Sequence, residues 1–317
     1  MTRSVLRAVM LLACVLTCAV VLAACGSDDG GDSTGAKRQL EQAFVTTATS
    51  VKSGRLTFDA KLDPEGLLAL GGPFTLKVTG PFAVSRPAGL ARFDLDADAR
   101  VAGRRIPAGA ISDGKDVYLE LDGDHYKLDD ETADKLRSGE GAAGLLALGI
   151  DPRAWITDVQ ENGTERLGGV ETVRLRGAVN VPRLIRDVLT GAGGGALPAG
   201  KQGSAQQRED LADAVKSADV EVWSGQDDKI LRQLLVRIKF DFPSGARPPV
   251  PGLDKGTIEL RGRIDDVNGV TPEITAPARS RPFSQLPDTG VAGLVKCVTE
   301  AVGQGASVAR CAASLLG

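Results

Sequence analysis

Apolar and polar residues change places with a period of two over much of this chain. Leu56, Phe58, Ala60 and Leu62 alternate with Thr57, Asp59 and Lys61, and Phe74, Leu76 and Val78 alternate with Thr75, Lys77 and Thr79. Phe93, Leu95, Ala97, Ala99 and Val101 are interleaved with Asp94, Asp96, Asp98 and Arg100, and Val117, Leu119 and Leu121 with Tyr118 and Glu120. Successive side chains of a strand point to opposite sides, so each run predicts a strand with one greasy and one wet face. Asp113-Gly114 and Asp122-Gly123 predict turns between them. Strand character returns over 171–179. A second meander is predicted from 220–223, from Leu234, Val236, Ile238, Phe240 and Phe242 alternating with Leu235, Arg237, Lys239 and Asp241, and from Ile258 and Leu260. One-sided strands belong to antiparallel sheets, because fully parallel sheets are covered on both faces.

The period lengthens to helical spacing over residues 36–52, where Leu40, Phe44, Ala48 and Val51 form one stripe and Ser53-Gly54 closes it. Helical segments are also predicted over 130–137, 182–190 and 209–216, with Pro182 near a first turn. A helical turn is predicted over 152–159, with Trp155 inward. A short apolar stretch occupies 142–150, and 191–203 is glycine-rich and predicted mobile. The order is sheet, helices, sheet. That is an α+β architecture, with helices covering one face of a long antiparallel sheet. Residues 276–290 lie in a Pro-rich stretch that reads as a linker, and 291–317 read as a helical hairpin.

The first residues follow a different logic. Arg3 and Arg7 precede an apolar run that ends at Leu22-Ala23-Ala24-Cys25 and breaks into Gly26-Ser27-Asp28-Asp29-Gly30. A basic start, an apolar core and small residues before a cut make a secretory signal. The last four residues of the run resemble the bacterial lipobox. Small side chains let a peptidase approach the backbone, and the Cys25 thiol accepts a diacylglyceryl group. Residues 1–24 are then signal peptide, and 25–35 are the lipidated cysteine and a Gly/Ser/Asp tether. The expected location is the extracytoplasmic face of the cell membrane, held there by lipid.

Cysteine usage fits export. Cys14 and Cys18 leave with the signal and Cys25 carries lipid, which leaves Cys297 and Cys311 as a disulfide pair. Zinc is the weaker alternative, since neither a second pair nor a histidine lies nearby. A formal charge of −3 argues against nucleic-acid binding. With one histidine, no cluster of metal ligands and no nucleophile–base pair, the chain does not read as an enzyme, and no cofactor is implied.

Several strings imitate motifs. Gly31-Asp32-Ser33-Thr34-Gly35 has the spacing of a nucleophile elbow but sits in the tether, with no strand before it. Leu286-Pro287-Asp288-Thr289-Gly290 looks like a sorting signal, but Lys296, Glu300, Gln304 and Arg310 interrupt the apolar run that should follow, so it reads as a turn. Asp94, Asp96 and Asp98 lack the sixth-position glycine of a calcium loop and alternate along one strand, so they read as a solvated face. His125 reads as a surface residue beside a turn, and Asn162-Gly163-Thr164 as a sequon without consequence in most bacteria.

The order of elements carries a family resemblance. Polar tether and helix lead to Leu56-Thr57-Phe58-Asp59-Ala60, then to a strand with Val117-Tyr118-Leu119, then to Asp151-Pro152-Arg153-Ala154-Trp155-Ile156 and Gly168-Gly169-Val170-Glu171-Thr172. Val220-Glu221-Val222-Trp223-Ser224-Gly225 follows and leads through Asp227-Asp228 to a long strand. The whole resembles the LppX/LprA/LprF/LprG lipoproteins of actinobacteria and, more distantly, the LolA/LolB lipoprotein carriers, over about residues 36–275. The glycine content of 191–203 and the hairpin depart from that pattern.

The resemblance implies a large curved antiparallel sheet, a half-barrel, with helices on its concave face and an apolar cavity between them. The cavity would take acyl chains of a membrane lipid or lipoglycan. No family motif carries its contacts over residue by residue, so the candidate lining is the apolar face of the alternating strands: Leu56, Phe58, Ala60, Leu76, Val78, Leu95, Ala97, Ala99, Val117, Leu119, Val236 and Ile238. Glycine-flanked segments 67–72 and 142–149 read either as the opening of its mouth or as ordinary loops packing on the core, and an envelope transporter would be a partner. The competing reading is a structural or signalling lipoprotein with a packed core and a protein partner.

Overall fold

The computed structural model describes residues 35–65, 72–84, 90–101, 103–130, 133–134, 152–181, 183, 213–243, 254–270, 273–288, 292–293 and 296. Helix α1 (Gly35–Ser50) is followed by strands β1 (Ser53–Pro64), β2 (Phe74–Ala83), β3 (Arg92–Val101), β4 (Arg104–Ser112), β5 (Val117–Leu121) and β6 (Asp124–Lys127). A 3₁₀ turn (Pro152–Trp155) leads into β7 (Ile156–Leu167), β8 (Val170–Val179), β9 (Val215–Gly225), β10 (Leu231–Asp241) and β11 (Lys255–Asp265). The two-residue β12 (Arg281–Pro282) and a 3₁₀ turn (Phe283–Gln285) come last. All twelve strands join one sheet, in the order β12-β6-β5-β4-β3-β2-β1-β11-β10-β9-β8-β7. Every neighbour is antiparallel except β12, which runs parallel to β6. The result is an open, curved α+β half-barrel.

Register explains how alternation becomes one continuous surface. Leu175, Val222, Leu234, Gly262, Phe58, Val78, Ala97, Ala108 and Leu121 lie opposite one another from β8 across to β5. Gly177, Val220, Val236, Leu260, Ala60, Leu76, Ala99 and Ile106 form the adjacent row. Because the side-chain period is two, these rows share a face, and a one-residue slip anywhere would turn apolar side chains to water. Helix α1 packs on this inner face, with Leu40 joining Val159, Val173, Leu175, Val220, Val222 and Leu231. The outer face carries the interleaved Asp, Lys, Arg and Thr residues.

Helix α1 is fixed at its C-terminal end by two distant elements. Thr47, fully buried, donates its hydroxyl proton to the Ala43 carbonyl at 2.6 Å and accepts the Leu231 N–H at 2.7 Å. That N–H is left over where β10 slips register against β9 between Leu231 and Gln233. Asn268, in the turn after β11, accepts the Lys52 N–H (2.7 Å) and donates to the Ser50 carbonyl (2.8 Å), one of the carbonyls that a helix C-terminus leaves open.

Three strands go beyond the sequence reading. In β4 (RRIPAGAIS) a proline and small residues blur the alternation. The four-residue β6 is too short to show a period. Strand β7 is almost wholly polar and carries two register shifts, near Asp158 (φ 53°) and Gly163 (φ 84°). As the last strand in the sheet order it needs little apolar surface, and bulges and charge blunt it against edge pairing. The helical turn expected over 152–159 stops at Trp155, which is half-buried. The helix expected over 209–216 gives way to β9 at Val215.

The Pro-rich stretch is irregular and docked against the sheet. After β11 it runs along the rim where β1 begins. The Ile274 carbonyl accepts Arg92 Nη2 at 3.0 Å, Arg281 pairs with Asp124 at 3.1 Å, and Phe283 and Leu286 are buried against Val117, Leu121, Tyr126 and Leu128. Leu286, first residue of the sorting-signal look-alike, is therefore a core residue.

The segments expected to be helical over 130–137 and 182–190, the apolar stretch 142–150, the glycine-rich 191–203, the signal and tether, and most of the hairpin lie outside the described residues.

Candidate functional site

The inner face is the candidate site, and its chemistry is simple. Between its rims, from β1 to β5 and from β8 to β11, its described positions are apolar or glycine except Ser112 and Ser224. Both serines are fully buried. Ser112 Oγ accepts the Gly114 N–H at 3.3 Å, and Ser224 Oγ has no protein partner. Such a surface can exclude water and accept hydrocarbon. Among the described residues it presents no acid, base or metal ligand.

All twelve residues named from the sequence as lining fall on this face. Leu56, Phe58, Ala60, Leu76, Val78 and Leu95 are buried and belong to one central cluster with Leu62, Phe74 and Phe240. Val117 is buried at the β5 end. Ala97, Ala99, Leu119, Val236 and Ile238 are only half-buried. Burial therefore divides the face into zones. A fully covered spine runs along β1 and β2. On one side of it lies a strip of small side chains, Ala97, Ala99, Ala108 and Ala110, with Ile106 and Leu119, all half-buried. On the other lie Leu234, Val236, Ile238, Ile258 and Leu260, also half-buried. Beyond these, α1 closes the face over β8 and β9.

Gly80 on β2 leaves no room for a side chain, since a Cβ there would stand 1.8 Å from the Asp94 carbonyl oxygen of β3. Pro81 beside it has no N–H to give, which accounts for the gap in the β2–β3 ladder between Thr79 and Phe82.

One cluster on the outer face was not legible beforehand. Leu235 occupies a polar position in the alternation of β10, yet it is buried together with Trp223, Glu221 and Gln233. Arg174 lies 5.3 Å from the Trp223 ring centroid and donates to Glu221 Oε2 from Nε (2.9 Å) and Nη2 (2.5 Å). Arg237 Nη1 reaches Glu221 Oε1 at 3.2 Å, and Trp223 Nε1 donates to Glu165 at 2.9 Å. Long arginine stems thus cover apolar surface that the alternation leaves outside. A tryptophan with arginine at the facing strand position was the available signal.

At the other end, the Tyr118 hydroxyl is pushed above its ordinary range, first by burial and then by Asp116 and Asp113. Lys127 is raised by its hydrogen bond to Asp116, at 3.0 Å. His125 lies 3.5 Å from Glu120. Asp94, Asp96 and Asp98 stand on the outer face, where Asp98 pairs with Arg105 and Arg100. Cys25, Cys297 and Cys311 lie outside the described residues.

Fold and face together define a class: a half-barrel whose inner surface is built for apolar contact. No family model matches the chain, and no curated protein matches it. Among solved structures it is similar to lipoprotein LppX from Mycobacterium tuberculosis, with 12% identity over 75% of this chain and 97% of that one and a TM-score of 0.39. It is similar to LprF from Mycobacterium bovis, with 15% identity, 79% and 100% coverage and a TM-score of 0.42. It is also similar to a putative outer membrane lipoprotein-sorting protein domain from Vibrio parahaemolyticus, with 9% identity, 75% and 92% coverage and a TM-score of 0.20. LppX and LprF are of the group that the order of elements in the sequence resembles.

Proposed function

We propose that this chain is a membrane-anchored lipoprotein that binds the acyl chains of a lipid or glycolipid against its inner face and carries or presents that lipid in the cell envelope. Cys25 carries the anchor, and Cys297 and Cys311 form a disulfide. The observation that supports binding is the half-buried alanine strip on β3 and β4 beside a fully buried spine. A packed core puts bulk at such positions, whereas here small side chains keep space next to an uninterrupted apolar surface. Each methylene that leaves water for that surface contributes about 0.8 kcal/mol, so an acyl chain needs no polar contact to be held.

Uptake of a fluorescent fatty acyl probe tests this. The native chain takes up the probe, and Ala97→Trp, which fills the strip, lowers uptake at least about tenfold while the fold is retained, an effect on the order of 1.4 kcal/mol. Absence of uptake by the native chain, or equal uptake by the folded variant, overturns the reading.

A further inference from the structure

We infer that the rim of the half-barrel at the β3–β4 turn is a membrane-docking surface, with Arg100, Arg104 and Arg105 meeting anionic lipid headgroups. This deepens the envelope reading above and rests on it only for the anchor at Cys25.

The two rims differ. At the rim where β1 begins, the Pro-rich strap runs from Asn268 past Ile274 to Phe283, and the last turn of α1 is held there by Leu231 and Asn268. The opposite rim is formed by the β3–β4 turn and by the start of β2 and of β7. Helix α1 starts toward this second rim, since its first half packs with Val159 near the start of β7, while Thr47 lies at the start of β10. Nine residues, 26–34, separate Gly35 from the anchoring cysteine. That stretch spans at most about 35 Å, so the anchor lies within that distance of Gly35.

Three arginines gather at one corner of this rim, at the end of β3 and the start of β4. Strand β5 ends at Leu121, opposite Ala108, so Arg104 to Pro107 extend beyond it and β4 has no partner there on that side. Arg104 is exposed, and the side chains of Arg100 and Arg105 are 65% and 66% exposed. Among the described residues, Asp98 is the acidic group paired with them, with Arg105 at 2.5 Å and Arg100 at 3.8 Å. Three guanidinium groups against one carboxylate leave the corner cationic. Ile106, Ala108, Ala97 and Ala99 of the half-buried strip lie directly behind it. An anionic leaflet matches that charge, and a single lipid anchor combined with a basic patch holds a protein more firmly than either does alone.

The test uses the mature chain with Cys25→Ser, so that no anchor contributes, and cosedimentation with vesicles of phosphatidylglycerol or of phosphatidylcholine. Binding to phosphatidylglycerol at low salt is expected to exceed binding to phosphatidylcholine. Adding R100Q, R104Q and R105Q together should weaken it about 10- to 100-fold. D98N should strengthen it, which a merely solvated corner would not do, and R166Q should leave it unchanged. Circular dichroism confirms that each variant folds. No preference for phosphatidylglycerol, or equal binding by the folded triple variant, overturns the inference. Failure of acyl-probe uptake with docking intact would overturn the carrier reading alone.

Discussion

The β8–β9 region under α1 and the β3–β5 region at the other side of the spine start from the same rule and end differently. Both alternate apolar and polar residues, and both turn their apolar side inward. Under α1 the inward residues are Val173, Leu175, Val220 and Val222, all buried, and the helix contributes Leu40. Over β3 and β4 the inward residues include Ala97, Ala99, Ala108 and Ala110, all half-buried. Alternation decides which face is apolar, and side-chain volume decides whether that face is filled. A sheet can be a core at one end and a contact surface at the other with no change of pattern.

The comparison can be broken by substitution. Leu175→Ala in the sealed region should cost about 2–5 kcal/mol, read from denaturant unfolding, because the helix above cannot collapse into the gap. A loss below about 1 kcal/mol would mean that α1 does not seal β8 and β9. Thr47→Val keeps the shape but leaves the Leu231 N–H buried without an acceptor, and should cost about 1–3 kcal/mol. If that variant is as stable as the native chain, Thr47 does not fasten the helix. Ala97→Trp in the open region should cost less than about 1 kcal/mol, since overpacking penalties of about 1–3 kcal/mol apply only where space is already filled.

The smallest effect concerns pH. The Tyr118 hydroxyl is raised above 10.0 in the folded chain. The unfolded chain therefore releases this proton first, and the associated stability is complete below the unfolded value and is lost as pH rises through the folded one. Tyr118→Phe should flatten the alkaline limb of a stability–pH profile above about pH 10 and leave its shape near neutrality unchanged. An unaltered alkaline limb would rule out Tyr118 as a source of that dependence.

Strands with clean alternation were legible from the residues: β1, the first half of β2, β3, β5, β8 and most of β10. So was α1, whose buried Leu40 and Ala48 lie on the expected stripe. What the pattern left out has physical causes. Strand β7 pairs on one side only among the described strands and carries bulges, so no period of two survives in its sequence. Strand β4 tolerates Pro107 where β5 no longer reaches. Leu235 is buried on the outer side beside Glu221, which faces it across β9 and β10 and which Arg174 and Arg237 hold, an arrangement that no single run reveals. The strap looked like a linker because its core residues, Ile274, Phe283 and Leu286, follow no period. The inner-face residues were legible as a set, since one face of a sheet is all that alternation specifies. Their graded burial was not, because it depends on what lies above them.

Native mass spectrometry of the full chain extracted from membranes tests the central claim most directly. The account expects a population heavier than the lipid-anchored polypeptide by the mass of an acyl lipid, which organic extraction removes and which Ala97→Trp depletes. A chain that flies only at the mass of its anchored polypeptide, from membranes rich in diacyl lipid, would contradict it.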